Sequence, residues 1–240
     1  MIAAFFDIDG TIYRNSLLIE HFNKLIQYDL VDPGVYDSRV KENYKLWDER
    51  KGDYDKYLEG LADTYKDVIK GLPEAYNDFV SDQVMQTKGG KVYKYTRGMI
   101  RRHKEQGHLV IFISGSPDFL VSRMAERFGA ADFCGSVYHT EQGKLTGEIS
   151  PMWDAKHKLQ AIDRFCQKYD IALPESYAYG DTNGDVTMLR LVGHPRAVNP
   201  SRELLRALGG DPLLKAKTDV IIERKDVIYK VNADVETIEI

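Results

Sequence analysis

Apolar residues run unbroken from Ile2 to Phe6 and stop at two carboxylates, Asp7 and Asp9, followed by Gly10. A short apolar run bounded by a turn signal predicts a buried strand. The period then changes. Leu17, Leu18, Phe22, Leu25 and Ile26 fall on one face of a helix starting at Ser16, a residue suited to an N-cap. Asp32-Pro33-Gly34 breaks that helix. Val35, Arg39, Val40, Tyr44 and Trp47 predict a second helix, and Tyr54, Leu58, Leu61 and Tyr65 a third. After Gly71-Leu72-Pro73, a fourth is predicted from Ala75, Phe79, Val80 and Val84. No strand pattern interrupts the stretch from Ser16 to about Lys88, so it reads as a helical insertion.

Beyond Gly89-Gly90 helices and strands alternate. A helix is predicted from about Lys91 to Gln106, stopped by Gly107. His108 to Ile113 is a second buried strand that runs into Ser114-Gly115-Ser116-Pro117, with a helix following to about Phe128. Ala131 to Thr140 and Lys144 to Ile149 pattern as a strand pair, Trp153 to Tyr169 as an amphipathic helix, and Tyr177 to Tyr179 as a short strand. A helix to Leu191, a strand from His194 to Val198, a helix from Ser201 to Leu208 and a strand from Asp219 to Glu223 complete the alternation. The tail from Val227 to Ile240 has strand character without a definite place. The fold class is therefore α/β: a Rossmann-like parallel sheet with helices on both faces, carrying a helical insertion after its first strand. In such sheets ligands bind beyond the carboxyl ends of the strands. Three of those ends carry polar loops, at Asp7, at Ser114 and at Asp181.

Composition narrows the setting. The chain has 240 residues and a formal charge of −4, which does not favour nucleic acid or an anionic membrane as partner. Its two cysteines, Cys134 and Cys166, are far apart and form neither a disulfide framework nor a zinc site. No apolar run approaches the length of a membrane span, and no basic-then-apolar leader opens the sequence. The expectation is a soluble cytoplasmic protein whose partner is a small molecule.

The polar loops suggest which one. Asp7 and Asp9 stand two apart on an extended chain, so their side chains leave the strand together. Like charges that close call for a cation or a shared proton, although Asp-x-Asp-Gly is also ordinary turn chemistry. Oxygen-only ligands suit magnesium, and Asp7, Asp181 and a backbone carbonyl near Asp9 make such a set. A phosphate monoester would then meet a carboxylate nucleophile and a carboxylic acid for the leaving alcohol, roles that fit Asp7 and Asp9. Ser114, the Gly115 N–H at the start of a helix, and a lysine from Asp154-Ala155-Lys156-His157-Lys158 would hold the phosphoryl oxygens.

These residues, in this order, resemble the haloacid dehalogenase superfamily, in its phosphoserine-phosphatase-like branch. Asp7, Asp9 and Thr11 match the Asp-x-Asp-x-Thr first motif. Ser114, closing a hydrophobic strand and followed by Gly115, matches the second, and Gly180, Asp181 and Asp185 match the Gly-Asp-x-x-x-Asp of the fourth. The third is a lysine, for which the branch's spacing favours Lys158 over Lys156. The resemblance implies a core of residues 1–14 and 91–240 and a helical cap of residues 15–90. It also implies a magnesium-dependent phosphomonoesterase working through an aspartyl phosphate on Asp7. Asp9 would be general acid and base, Ser114, Gly115 and Lys158 would bind substrate, and Asp7, Asp9 and Asp181 would bind metal, with Thr11 and Asp185 orienting them from behind. Two departures bear on substrate. Gly184 stands where the branch usually has Asn, and Ser16 where phosphoserine phosphatases carry a Glu that meets the substrate's amino group. Phosphoserine or a similar small phosphoester is implied. A phosphotransferase or mutase, and a non-catalytic phosphometabolite sensor, stay open at this point. The six histidines form no ligand cluster in the sequence and read as packing or helix-end residues.

Overall fold

The computed structural model describes residues 1–52 and 54–235, and the final five residues of the predicted strand-like tail lie outside that range. The chain divides into two compact units, one of residues 1–16, 91–136 and 151 onwards, the other of residues 17–90 and 137–150.

The elements run β1 (Ala3–Phe6), α1 (Leu17–Gln27), α2 (Pro33–Arg39), α3 (Lys41–Asp48), α4 (Tyr54–Val68), α5 (Glu74–Thr87), α6 (Lys94–Glu105), β2 (Leu109–Pro117), α7 (Asp118–Phe128), β3 (Asp132–Glu141) and β4 (Lys144–Ser150). They continue with α8 (Ala155–Tyr169), β5 (Tyr177–Gly180), α9 (Val186–Leu191), β6 (His194–Val198), α10 (Arg202–Gly209), α11 (Pro212–Lys217), β7 (Asp219–Arg224) and β8 (Val227–Asn232). In the first unit the strands lie in the order β3-β2-β1-β5-β6-β7-β8. All neighbours are parallel except β7 and β8. The chain runs from β1 through β2 to β3 on one side and later returns to β5 on the other side of β1, so the carboxyl ends of β1 and β5 mark a topological switch point.

Strand alternation assigns residues to two faces. Ala3, Phe5, Ile111, Ile113, Ala178, Ala197 and Val220 belong to one apolar core with Ile162 and Phe165 of α8, Leu189 of α9, Leu204 of α10 and Leu214 of α11. Each large buried side chain of that core, such as Phe5, Ile111 or Leu189, stabilises the fold by roughly 1.5–3 kcal/mol. Phe6, Phe112, Tyr177 and Tyr179 occupy the opposite face, where Phe6 stacks on Tyr179 at 4.1 Å and meets His103 of α6 edge-on at 6.1 Å.

Caps set where the helices begin. Asp154 accepts the His157 N–H at 2.9 Å ahead of α8, and Ser201 accepts that of Leu204 at 3.2 Å ahead of α10. α6 has no such residue; Tyr93 precedes it without a side-chain cap. Its first amides, Lys94 and Tyr95, are satisfied instead by the Glu223 carboxylate of β7, at 2.9 and 2.8 Å. The helix starts three residues later than the periodicity predicts because Lys91 to Tyr93 are bonded to the segment after β1, with Arg14 N donating to Lys91 O and Tyr93 N to Ile12 O, both at 2.9 Å.

The second unit holds α1 to α5 with the outer part of the β3–β4 hairpin. Gly71 N donates to Leu145 O at 2.7 Å, Leu145 N to Leu72 O at 2.9 Å, and Glu74 N to Gly143 O at 2.9 Å. These backbone bonds tie residues 137–150 to the helices, a grouping that period-2 and period-3.6 patterns cannot reveal. The single helix predicted across Val35 to Trp47 is two, parted at Val40, whose φ of −117° is stretched from the usual helical value while its side chain is 1% exposed. α11 falls below sequence detection because Leu214 is its one buried residue. β8 gives the first part of the tail its place, antiparallel to β7.

Candidate functional site

Three strand ends come level. Phe6 of β1 pairs with Phe112 of β2 and with Tyr179 of β5, so the residues that follow leave the sheet side by side. Asp7 N is still held by Tyr179 O at 2.9 Å. The chain then coils back on itself, with the N–H groups of Thr11, Ile12 and Tyr13 converging on Ile8 O at 3.2, 2.8 and 2.7 Å. Gly10 is required twice over. Its φ is +82°, and a Cβ there would lie 2.0 Å from Asp181 Oδ2.

The loop after β5 is organised around Asp185, which is fully buried. Its Oδ2 accepts the N–H of Asp181 at 3.1 Å, the N–H of Thr182 at 3.0 Å and the Thr182 hydroxyl at 3.2 Å. Its Oδ1 takes Lys158 Nζ at 2.5 Å. Gly180 makes room for it, since a Cβ there would lie 2.4 Å from Asp185 Cβ. Lys158, on the first turn of α8 and 3% exposed, also donates to Asp7 Oδ1 at 2.9 Å. Lys156 is exposed, so of the two candidate lysines it is Lys158 that enters the cluster. The Thr11 hydroxyl donates to Asp181 Oδ1 at 2.8 Å. Ligand atoms of Asp7, Asp181 and Asp185 all lie within 4.8 Å of one another.

Asp9 turns to a different set of partners. Its Oδ2 accepts the Ser116 hydroxyl at 2.6 Å and the Ser16 hydroxyl at 3.3 Å. Ser116 N donates to Ser114 Oγ at 3.2 Å, which links Ser114 to Asp9 through one residue. The sequence pattern passes over Ser116, although its i, i+2 spacing from Ser114 on an extended chain carried the signal. Gly115 corrects one expectation. β2 continues through Pro117 and α7 begins at Asp118, so the Gly115 N–H belongs to the strand's end and not to a helix start. The strand is prolonged by the pairing of Pro117 with Ser136 of the neighbouring β3, and Ser136 Oγ donates to Gly115 O at 2.7 Å.

The electrostatics are those of a cluster with too much negative charge. Burial pushes the Asp7 carboxyl up to about 8, against the downward pull of Lys158 and with the Asp185 and Asp9 charges adding to the rise. Asp181 is pushed well above the carboxylate range by burial and by the charges of Asp7 and Asp185. Burial alone would lower Lys158, but Asp185 and Asp7 outweigh it and keep the ammonium charged. Three carboxylates around one ammonium suit a divalent cation. Both Asp185 oxygens are occupied by donors, whereas Asp7 and Asp181 each have one oxygen beyond those bonds. The donors are oxygen only, the preference of a hard ion.

The family described as haloacid dehalogenase-like hydrolase matches residues 4–190. A probable phosphatase of Mycobacterium tuberculosis is 27% identical over 217 residues, which cover 88% of this chain and 74% of that protein. A histidinol-phosphatase of Neisseria meningitidis is 24% identical over 207 residues, covering 84% of this chain and 91% of its own. Among solved structures, a phospho-aspartyl intermediate analogue of phosphoserine phosphatase is similar in fold, with a TM-score of 0.61 and 22% identity over 94% of both chains. Among the described residues no helix is long and apolar enough to cross a membrane.

Proposed function

From the premise that this chain belongs to the haloacid dehalogenase-like hydrolase family, we propose that it is a magnesium-dependent phosphomonoesterase acting on a small phosphorylated metabolite. Phosphoserine and similar small esters are the substrate class. The observation that carries this reading is the Asp7 carboxylate, bonded to Lys158 at 2.9 Å, grouped with Asp181, and followed two residues later by a second acid.

In this reading Asp7 is the nucleophile. Its oxygen forms a bond to phosphorus as the bond to the alcohol oxygen breaks, and the proton of the Asp9 carboxyl passes to that departing oxygen. The products of the step are the free alcohol, an aspartyl phosphate on Asp7 and an Asp9 carboxylate. Asp9 then takes a proton from water as the water oxygen bonds to phosphorus and the bond to Asp7 breaks, which releases phosphate. Lys158 spends two of its three N–H donors on Asp7 and Asp185 and has a third for a non-bridging oxygen. The Ser114 hydroxyl and the Gly115 N–H serve the others. Asp7, Asp181 and the main-chain carbonyl of Asp9 would hold the magnesium ion, which when bound offsets the charge of the phosphate dianion. Thr11 and Asp185 fix Asp181 and its loop from behind. The helical unit acts as a cap that selects among leaving groups.

The test is hydrolysis of an aryl phosphate and of a panel of metabolite phosphates with magnesium present. Asp7→Asn is expected to abolish turnover while its unfolding transition stays cooperative. EDTA is expected to silence the wild type and added magnesium to restore it. Full activity in Asp7→Asn would remove the nucleophile, and activity that survives EDTA would remove the metal.

A further inference from the structure

Asp9 has to alternate between acid and base, and the structure shows what holds it. Ser116 is 4% exposed, and its hydroxyl donates to Asp9 Oδ2 at 2.6 Å, at the short end of the hydroxyl–oxygen range. Ser16, also 4% exposed, donates to the same oxygen from the longer distance of 3.3 Å. Ser116 is itself fixed. Its N–H is anchored on Ser114 Oγ at 3.2 Å. The neighbouring Gly115 carbonyl accepts from Ser136 Oγ, which accepts Met152 N at 3.1 Å. The register of β2 on β3 shifts between Ile113 and Pro117, and the backbone of this segment is therefore held by side chains where the ladder lapses.

We infer that Ser116 is the positioning residue for the acid–base group Asp9, with Ser16 as its weaker second; the inference rests on the phosphomonoesterase reading above. Asp9 Oδ2 accepts both hydroxyl bonds. The same two bonds stop the carboxyl plane from turning, so Oδ1 keeps one direction through both halves of the reaction.

The readout is leaving-group dependence. A basic alkyl alcohol needs a proton as it departs, and a phenol bearing a nitro group does not. For kcat/KM only steps up to that departure count. Ser116→Ala is expected to lower kcat/KM for an alkyl phosphate about tenfold more than for p-nitrophenyl phosphate, the scale of one charge-assisted hydrogen bond. Ser116→Cys, which keeps the size with a weaker donor, should move the ratio the same way, Ser116→Thr should restore it, and Ser16→Ala should move it less. Equal losses on both esters would mean a structural or phosphate-holding role and overturn the inference, as would no loss on either. A wild type that hydrolyses neither ester with magnesium present would remove the phosphomonoesterase reading and the role with it. An active wild type with an unchanged ratio in the variants would remove only the role of Ser116.

Discussion

The two faces of the central sheet use the same strands for opposite chemistry. The face that carries Phe5, Ile111 and Ala178 is aliphatic and packs on α8 to α11. The face that carries Phe6, Tyr177 and Tyr179 is aromatic and contains imidazoles. There His103 Nε2 lies 2.8 Å from the Tyr179 hydroxyl and His103 Nδ1 2.9 Å from His108 Nδ1. Two ring nitrogens that close form a hydrogen bond only if one of them is unprotonated. Burial, with His108, Arg102 and Arg196 nearby, pushes His103 down to about 4 and keeps it neutral. The ammonium of Lys158 arrives from the other side, on a helix whose remaining inward residues are Ala161, Ile162 and Phe165. The sheet thus separates a network that must be charged from one that must not. The difference shows that a buried polar group is specified by its partners more than by its burial, since His103 and Lys158 are both buried, at 1% and 3% exposure.

The contrast can be broken most severely at Lys158. Lys158→Met keeps the stem's volume but leaves Asp7 and Asp185 without a counter-charge. It is expected to cost about 3–5 kcal/mol of stability and all hydrolysis, as measured by urea unfolding and phosphate release. The neutral network is tested by pH. His103 has its pKa lowered from 6.5 to about 4, so the unfolded chain binds the proton more readily. Stability should therefore fall as pH drops from 6.5 towards 4, by on the order of 3 kcal/mol for this group. His103→Phe should flatten that slope in thermal unfolding scans. Asp7 has the opposite sign. Its raised pKa makes stability without added cation fall as pH rises from about 4 to 8. The smallest effect is expected at Lys156, two residues from Lys158 and exposed. Lys156→Ala should change stability by less than about 0.5 kcal/mol and leave kcat/KM unaltered.

The aliphatic face was largely legible in the sequence, because Ile2 to Phe6, His108 to Ile113 and the helix over Trp153 to Tyr169 repeat apolar residues at the period of their element. Asp7, Asp9, Ser114 and Asp181 stood out in the sequence as polar groups at predicted strand ends, whereas Lys158 was singled out from Lys156 only by the family's spacing. The aromatic face was not. His103, His108 and Tyr179 join residues 76 and 5 positions apart, and single-sequence patterns carry no pairing information over such spans. The alliance of residues 137–150 with the helical unit was hidden for the same reason, being decided by backbone bonds to Gly71, Leu72 and Glu74, whereas the short α11 buries too little to leave a pattern. Ser116 lay in plain view beside Ser114, but its use depends on where Asp9 turns.

The carboxylate of Glu223 has a consequence for how the protein is made. It closes the first amides of α6 across 129 positions of sequence. During synthesis on the ribosome those amides must wait, unpaired or bound to water, until the seventh strand has emerged and docked. The core unit, spread over three separated stretches of chain, can therefore acquire its native cooperativity only late in translation, and its folding should be slow for its size.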